Sequence, residues 1–310
     1  MDDKLLDLQV RVPNKRFCGS SKGWLIVVEK NFAITLINPF FRVIGMKKKE
    51  NSTIRLPQLT LPDWMDEEAW AVDCNNYVFK ASISADPILN ASECIVTLIV
   101  EDRCQLAFIR LGKDTTWTFV DERYSLIQEV VSIENKIYAV DFWTKLLSFD
   151  ITTQSYSDVK ISAHEMKQLK LYRSKAYIVN LNEGEFIMVM RYFDFDHEAC
   201  TRETTNFKIF KLDFGKCKWI QKKTLGDVAI FLGDNSTISV LASEYSGCQP
   251  NCIYFNFDRE RTQNYPVKPH DFGVYNIKDR SFSQPYTTDA MTLLKMADRP
   301  PIWVLPTFQL

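Results

Sequence analysis

The sequence predicts an all-β fold, a β-propeller of four-stranded antiparallel blades. Three observations carry that prediction. Most apolar stretches are short, rich in Val, Ile, Phe and Tyr, and bounded by polar turn residues, the pattern of strands rather than helices. A hairpin signature recurs: Asp150 is followed by Tyr156, Asp213 by Trp219 and Asn276 by Phe282, with looser copies at Asn38 with Ile44 and Leu111 with Trp117. Those anchors fall roughly 60 residues apart, a little above the ~50 residues of a kelch-type blade. Strong helical periodicity is scarce.

The strands follow in chain order. Trp24–Val28 opens the series, and Ile137–Val140 and Phe186–Met190 follow. One complete set of four comprises Leu169–Asn180, Glu185–Tyr192, Phe207–Leu212 and Lys218–Lys222, and Ile253–Phe255 comes later. Four antiparallel strands repeated around an axis is propeller logic, because each small sheet buries its faces on its neighbours. Five units are visible; a sixth, from Arg55 to Ala85, stays open. Two short helices are expected, at Asp63–Trp70 and at Asp289–Ala297, the second capped by Asp289. Pro301-Ile302-Trp303-Val304 is expected to pair with the first blade and close the ring. The paired glycines of ordinary kelch blades are missing, since the whole chain holds 10 glycines.

Composition narrows the function. Of 310 residues, 46% are hydrophobic and 25% charged, which suits a folded chain. With 38 Lys+Arg against 39 Asp+Glu the net charge is −1, so neither nucleic acid nor an anionic membrane is an expected partner. The charged N-terminus is not a secretory signal, and no apolar run approaches the ~18 residues of a membrane span. An intracellular protein, in cytoplasm or nucleus, is expected. The sequons at Asn51, Asn90 and Asn235 are then expected to stay unmodified, and the eight cysteines to stay reduced. Cys248 and Cys252 form the only close pair. With no second pair and three histidines (His164, His197, His270), neither a zinc site nor any cofactor is expected.

Several strings imitate catalytic motifs. Gly19-Ser20-Ser21-Lys22-Gly23 spells the hydrolase elbow, but a strand follows where the elbow needs a helix. Asp271-Phe272-Gly273 spells the kinase magnesium motif without a phosphate loop or catalytic loop before it. Asp194, Asp196, His197, Glu198 and Cys200 form an acidic cluster that lacks the spacing of a calcium loop, and Lys47-Lys48-Lys49 reads as a solvated loop. Of the tryptophans near apolar strands (Trp24, Trp117, Trp143 and Trp219), Trp117 and Trp219 are expected to pack between blades. No catalytic, cofactor-binding or metal-binding residue is assigned, and the protein-binding residues remain unknown.

Longer strings carry a family resemblance. They include Phe17-Cys18-Gly19-Ser20-Ser21-Lys22-Gly23-Trp24-Leu25, Leu106-Ala107-Phe108-Ile109-Arg110 with Trp117, and Ile137-Tyr138-Ala139-Val140-Asp141. Phe207-Lys208-Ile209-Phe210-Lys211-Leu212-Asp213 with Trp219, Gly247-Cys248 with Asn251-Cys252-Ile253-Tyr254-Phe255, and Pro301-Ile302-Trp303-Val304-Leu305-Pro306 continue the series. In this order and spacing the chain resembles the plant KIB-type β-propellers attached to F-box proteins. The resemblance implies a non-enzymatic propeller that recognises a protein, as the substrate-receptor part of a Skp-cullin-F-box ubiquitin ligase does. Some members are associated with glycogen-synthase-kinase-like targets. An F-box needs ~40–50 residues of helix. Residues 1–16 are therefore read as an extension without an F-box and 17–310 as the propeller, so a direct Skp-type adaptor contact is not expected. Two alternatives stand beside this reading: an enzyme with an unrecognised site at the propeller axis, and a weakly functional duplicate without the F-box.

Overall fold

A computed structural model describes residues 16–29, 31–40, 52–60, 78–100, 103–133, 135–153, 155–158, 174–181, 184–196, 201–258, 271–284 and 300–305. Among them five sheets succeed one another along the chain. Blade 1 is β1 (Arg16–Ser21), β2 (Trp24–Val28), β3 (Ala33–Ile37) and β4 (Thr53–Gln58). Blade 2 is β5 (Val78–Ile83), β6 (Ile95–Val100), β7 (Gln105–Arg110) and β8 (Thr118–Phe119). Blade 3 is β9 (Ile127–Ile133), β10 (Lys136–Asp141), β11 (Leu146–Asp150) and β12 (Ser155–Asp158). Blade 4 is β13 (Ser174–Asn180), β14 (Phe186–Asp196), β15 (Thr201–Asp213) and β16 (Lys218–Lys222). These four are antiparallel meanders in sequence order.

The fifth blade departs from that plan. It holds β17 (Val228–Leu232), β18 (Thr237–Leu241), β19 (Cys252–Phe255), β20 (Gly273–Asn276) and β21 (Phe282–Ser283), in the order β18-β17-β19-β20-β21. The β17–β18 hairpin folds its second strand toward the axis. The chain then returns through a 3-10 turn at Ala242–Glu244 and lays β19 parallel to β17. This sheet has five strands where four were expected.

The strands read as continuous apolar runs because both faces of each sheet are buried, and residues of alternate parity serve different neighbours. On β6, Val96, Leu98 and Val100 join a core with blade 1, whereas Ile95 and Ile99 join a core with blade 3. On β14, Phe186, Met188 and Met190 meet blade 3, while Ile187 and Val189 meet blade 5. The core is therefore a series of inter-blade layers.

The recurring anchors are the turn caps of the outer hairpins. Asp150 Oδ1 accepts the amides of Thr152 and Thr153, Asp213 Oδ1 that of Lys216, and Asn276 Oδ1 that of Lys278. Each Asx turn fixes the register that follows: Phe149 opposes Tyr156, Leu212 opposes Trp219 and Tyr275 opposes Phe282. The Thr153 amide bond is the main reason that Asp150 titrates below the usual carboxylate range. In blade 1, Asn38 Oδ1 caps the Phe40 amide, and its sequence partner Ile44 lies outside the described residues. Blade 2 shifts the device: Asp114 binds both the amide and the guanidinium of Arg110, in place of a capping group at Leu111.

The described ends of the segment left open as a sixth blade supply β4 to blade 1 and β5 to blade 2. The terminal strand expected on blade 1 is also corrected. Trp303 donates its indole N–H to Leu232 O at 2.9 Å and its backbone amide to Ser236 Oγ, so the described hydrogen bonds of this segment go to blade 5. The reason is steric: Trp303 and Leu305 cover the face of blade 5 opposite to blade 4. Both expected helices, Asp63–Trp70 and Asp289–Ala297, lie outside the described residues. No helix among the described residues is long and apolar enough to cross a membrane.

Candidate functional site

Two places on this scaffold present chemistry: the central channel and one rim. The innermost strands β1, β5, β9, β13 and β18 surround a channel of about 250 Å³. Close approach at the axis constrains the sequence. A Cβ on Gly19 would collide with the Ala81 carbonyl of β5, so only glycine lets β1 and β5 come this near. Gly19 also sits where the β1–β2 register shifts.

The channel wall is rich in hydroxyls. Ser20 and Ser21 come from β1, Ser82 from β5, Ser132 from β9, and Thr237 and Ser239 from β18. Two of its charged groups face each other across neighbouring strands. Lys80 Nζ donates to Glu129 at 2.7 Å, and the two side chains are 4% and 1% exposed. Thr237 donates to the same carboxylate from across the axis. Burial pushes the Glu129 carboxyl above its ordinary range, against the pull of Lys80.

Outside the channel wall lies a second buried polar network, which locks blade 4 to blade 5. Arg191 is 0% exposed. Its guanidinium donates to Thr204 Oγ1 at 2.8 Å, Asn256 O at 2.7 Å, Asp258 Oδ2 at 3.2 Å and Asp271 Oδ2 at 2.9 Å. Asp258 also accepts from the Tyr177 hydroxyl and pairs with Lys175, which reaches Asp234 as well. Burial alone would lower the Lys175 and Arg191 values, but the facing carboxylates outweigh it and hold both above the ordinary range. A network in which every cation meets an anion suits a structural clamp.

At the rim, three turns from blades 2 and 3 are stitched together. Leu126 donates its amide to Arg103 O at 2.6 Å, and Phe142 donates its amide to Leu126 O at 2.9 Å. Cys104, Leu126 and Thr144 hold φ values of 51°, 58° and 63°, a left-handed conformation that side chains with a Cβ rarely adopt. Asp141 Oδ1 caps the amides of Trp143 and Lys145. The result is a stiff ledge that leaves Trp143 56% and Leu126 38% exposed. A large aromatic held out at this cost is a candidate contact residue.

The catalytic look-alikes resolve into local structure. Lys22 and Gly23, with φ of 52° and 77°, form the two-residue turn between β1 and β2, and Ser21 Oγ donates to Ile83 O. Asp271 is bound by Arg191 and by the Thr204 amide. Asp194 and Asp196 stand in the β14–β15 ladder, while His197, Glu198, Cys200 and Lys47–Lys49 lie outside the described residues, as do all three histidines. Among the described residues, no His, Cys, Asp or Glu cluster could hold a metal ion. The described cysteines are free thiols, and burial pushes Cys94 up to about 11, away from reactive thiolate. Trp117 sits in the layer between blades 1 and 2 and donates to Pro57 O at 2.8 Å; Trp219 sits between blades 3 and 4, stacked on Phe186.

Sequence reading missed the channel hydroxyls, the Arg191 clamp and the ledge. A repeated serine on the innermost strand of successive units was the available signal for the first.

Contiguous blades around a shared axis define the class as a β-propeller. A family description, KIB1-4 beta-propeller, matches residues 2–276, and the chain belongs to that family. Curated relatives include F-box proteins of Arabidopsis thaliana. F-box protein At4g35733 is 25% identical over 280 residues, covering 84% of this chain and 73% of that protein. Putative F-box protein At3g25750 is 27% identical over 175 residues, covering 54% of this chain and 44% of that protein. F-box protein At2g26160 is 24% identical over 270 residues, covering 79% of this chain and 76% of that protein.

Proposed function

We propose that this propeller is a non-enzymatic protein-interaction module, with 17–310 acting as one domain inside the cell. The observation that carries the reading is the Trp143–Leu126 ledge, a strained and hydrogen-bonded rim that leaves an indole 56% exposed. Kinship to F-box proteins supports the idea that such a rim holds a protein destined for ubiquitin transfer.

The test is affinity purification of the tagged chain from plant extract, beside a Trp143→Ala variant, with mass spectrometry of the eluates. A partner recovered with the parent chain and lost with the variant is the expected result. If no protein co-purifies reproducibly, the interaction reading falls. A partner retained equally by the variant would remove the ledge from it.

A further inference from the structure

The channel carries a positive charge that the fold does not pair. The charged residues of its lining are Lys22, Lys80 and Glu129. Lys80 and Glu129 neutralise each other at 2.7 Å within the wall. Lys22 is exposed, and among the described residues it has no carboxylate partner. Its backbone is unusual as well. It opens the β1–β2 turn with φ of 52°, a position that suits Asn or Gly, and it is the only non-glycine residue of the lining with a positive φ among the described residues. Backbone strain of this kind clusters at ligand clamps. Ser82, half-buried on β5, adds a hydroxyl with no partner among the described residues. The innermost strands are also edge strands of their sheets, so each turns backbone N–H and C=O groups toward the axis. Two carbonyls there are already taken, Ile83 O by the Ser21 hydroxyl and Asn180 O by that of Ser239, which tilts what remains toward donors.

We infer that the channel mouth at Lys22 is a binding site for a small phosphate-type oxyanion, either free phosphate or the phosphate group of a small ester. The Lys22 ammonium supplies the charge and up to three donors, and Ser82 supplies another from the neighbouring blade. A tetrahedral oxyanion accepts from several directions at once, which suits donors that arrive from different blades; a planar carboxylate meets fewer of them. The nearby carboxylates do not oppose the anion. Glu129 is held by Lys80, the Val130 amide and the Thr237 hydroxyl. Asp86, just beyond β5, accepts from the Trp24 indole and from the amides of Ile88 and Leu89. At about 250 Å³ the channel has room for a phosphate with a short organic tail. Lys22 follows the end of β1, whereas the Trp143 ledge lies at the start of β9, and the site does not depend on the ledge.

Isothermal titration calorimetry of the full chain in low-salt buffer tests this with inorganic phosphate and glycerol 3-phosphate, beside acetate and glycerol. Saturable binding of phosphate, weakened by added sodium chloride, is expected. Tighter binding of glycerol 3-phosphate would assign the site to an ester, and equal binding to free phosphate. Lys22→Asn removes the charge but fits the left-handed turn, so the variant should resist urea at least as well as the parent while phosphate binding falls about tenfold or more, the effect of one lost charged hydrogen bond. Lys22→Arg keeps the charge and should largely retain binding. No binding of either phosphate probe at millimolar concentration overturns the inference. So does binding that Lys22→Asn leaves unchanged, or acetate or glycerol binding as tightly as phosphate.

Discussion

Arg191→Met is the sharpest test of how blades 4 and 5 are joined. The substitution keeps an unbranched stem beside Phe255, whose ring centre lies 4.7 Å from the guanidinium carbon, but removes every donor of the fork. Asp258 retains Lys175 and Tyr177, and Asp271 retains the Thr204 amide. Asp271 Oδ2 loses the guanidinium 2.9 Å away in a site where its side chain is 4% exposed. Removing one partner of a buried pair costs about 3–5 kcal/mol, because the other charge is left uncompensated. The loss should fall in the same range and be read from urea denaturation followed by circular dichroism. Arg191→Lys restores a point charge without the fork and should recover part of it. Adding Asp271→Asn to Arg191→Met should also recover part, since it removes the buried charge that Arg191 faced; coupling energies in such cycles run to ~0.5–3 kcal/mol. A loss under about 1 kcal/mol for Arg191→Met would refute the clamp, for that is what a solvated surface pair is worth.

Two further perturbations act at the axis. Gly19→Ala places a methyl group against the Ala81 carbonyl, which is backbone and cannot swing aside, so a loss of about 1–3 kcal/mol is expected in chemical denaturation; an unchanged midpoint would show that β1 and β5 are farther apart than described. Glu129 binds its proton more tightly folded than unfolded. Its contribution is therefore fully present below the ordinary Glu value of about 4.3 and is lost as pH rises through the raised folded value. Stability measured against pH should fall across that window in the parent chain relative to Glu129→Gln, and parallel profiles would contradict the burial argument.

The blades were legible because their determinants are local. Asp150, Asp213 and Asn276 cap turns only two or three residues ahead, and the capped turn sets the strand register. Burial on both faces made β6 and β14 stand out as apolar runs. What stayed hidden depends on distance along the chain. Arg191 meets Asp258 and Asp271 across separations of 67 and 80 residues, and Asp271 sits inside a string that imitates a kinase motif. The inserted β17–β18 hairpin was equally opaque. Two short apolar runs say nothing about which lies nearer the axis, and that order is set by the return path from β18 to β19. The exposed Trp143 was visible as a residue but not as a site, because its presentation rests on the Arg103–Leu126–Phe142 backbone bonds.

Trp303→Ala examines how the segment at 301–305 supports blade 5 beside its seam with blade 1. Among the described residues every blade is built from one contiguous stretch, so no strand is shared across the seam. Across the seam Asn235 Nδ2 donates to Phe17 O at 3.3 Å, whereas Trp303 packs edge-on against Phe231 at 4.9 Å and its indole binds Leu232 O, both on blade 5. A buried Trp→Ala change costs about 3–5 kcal/mol, and Trp303 is only partly buried, so a loss nearer ~2–3 kcal/mol follows. Its location matters more than its size. Hydrogen exchange should speed up first in β17 and β18, while the amides of blades 2 and 3, held by cores on both faces, keep their protection. Uniform loss of protection around the ring would mean that the propeller opens as a single unit, and that its closure owes nothing special to the segment at 301–305.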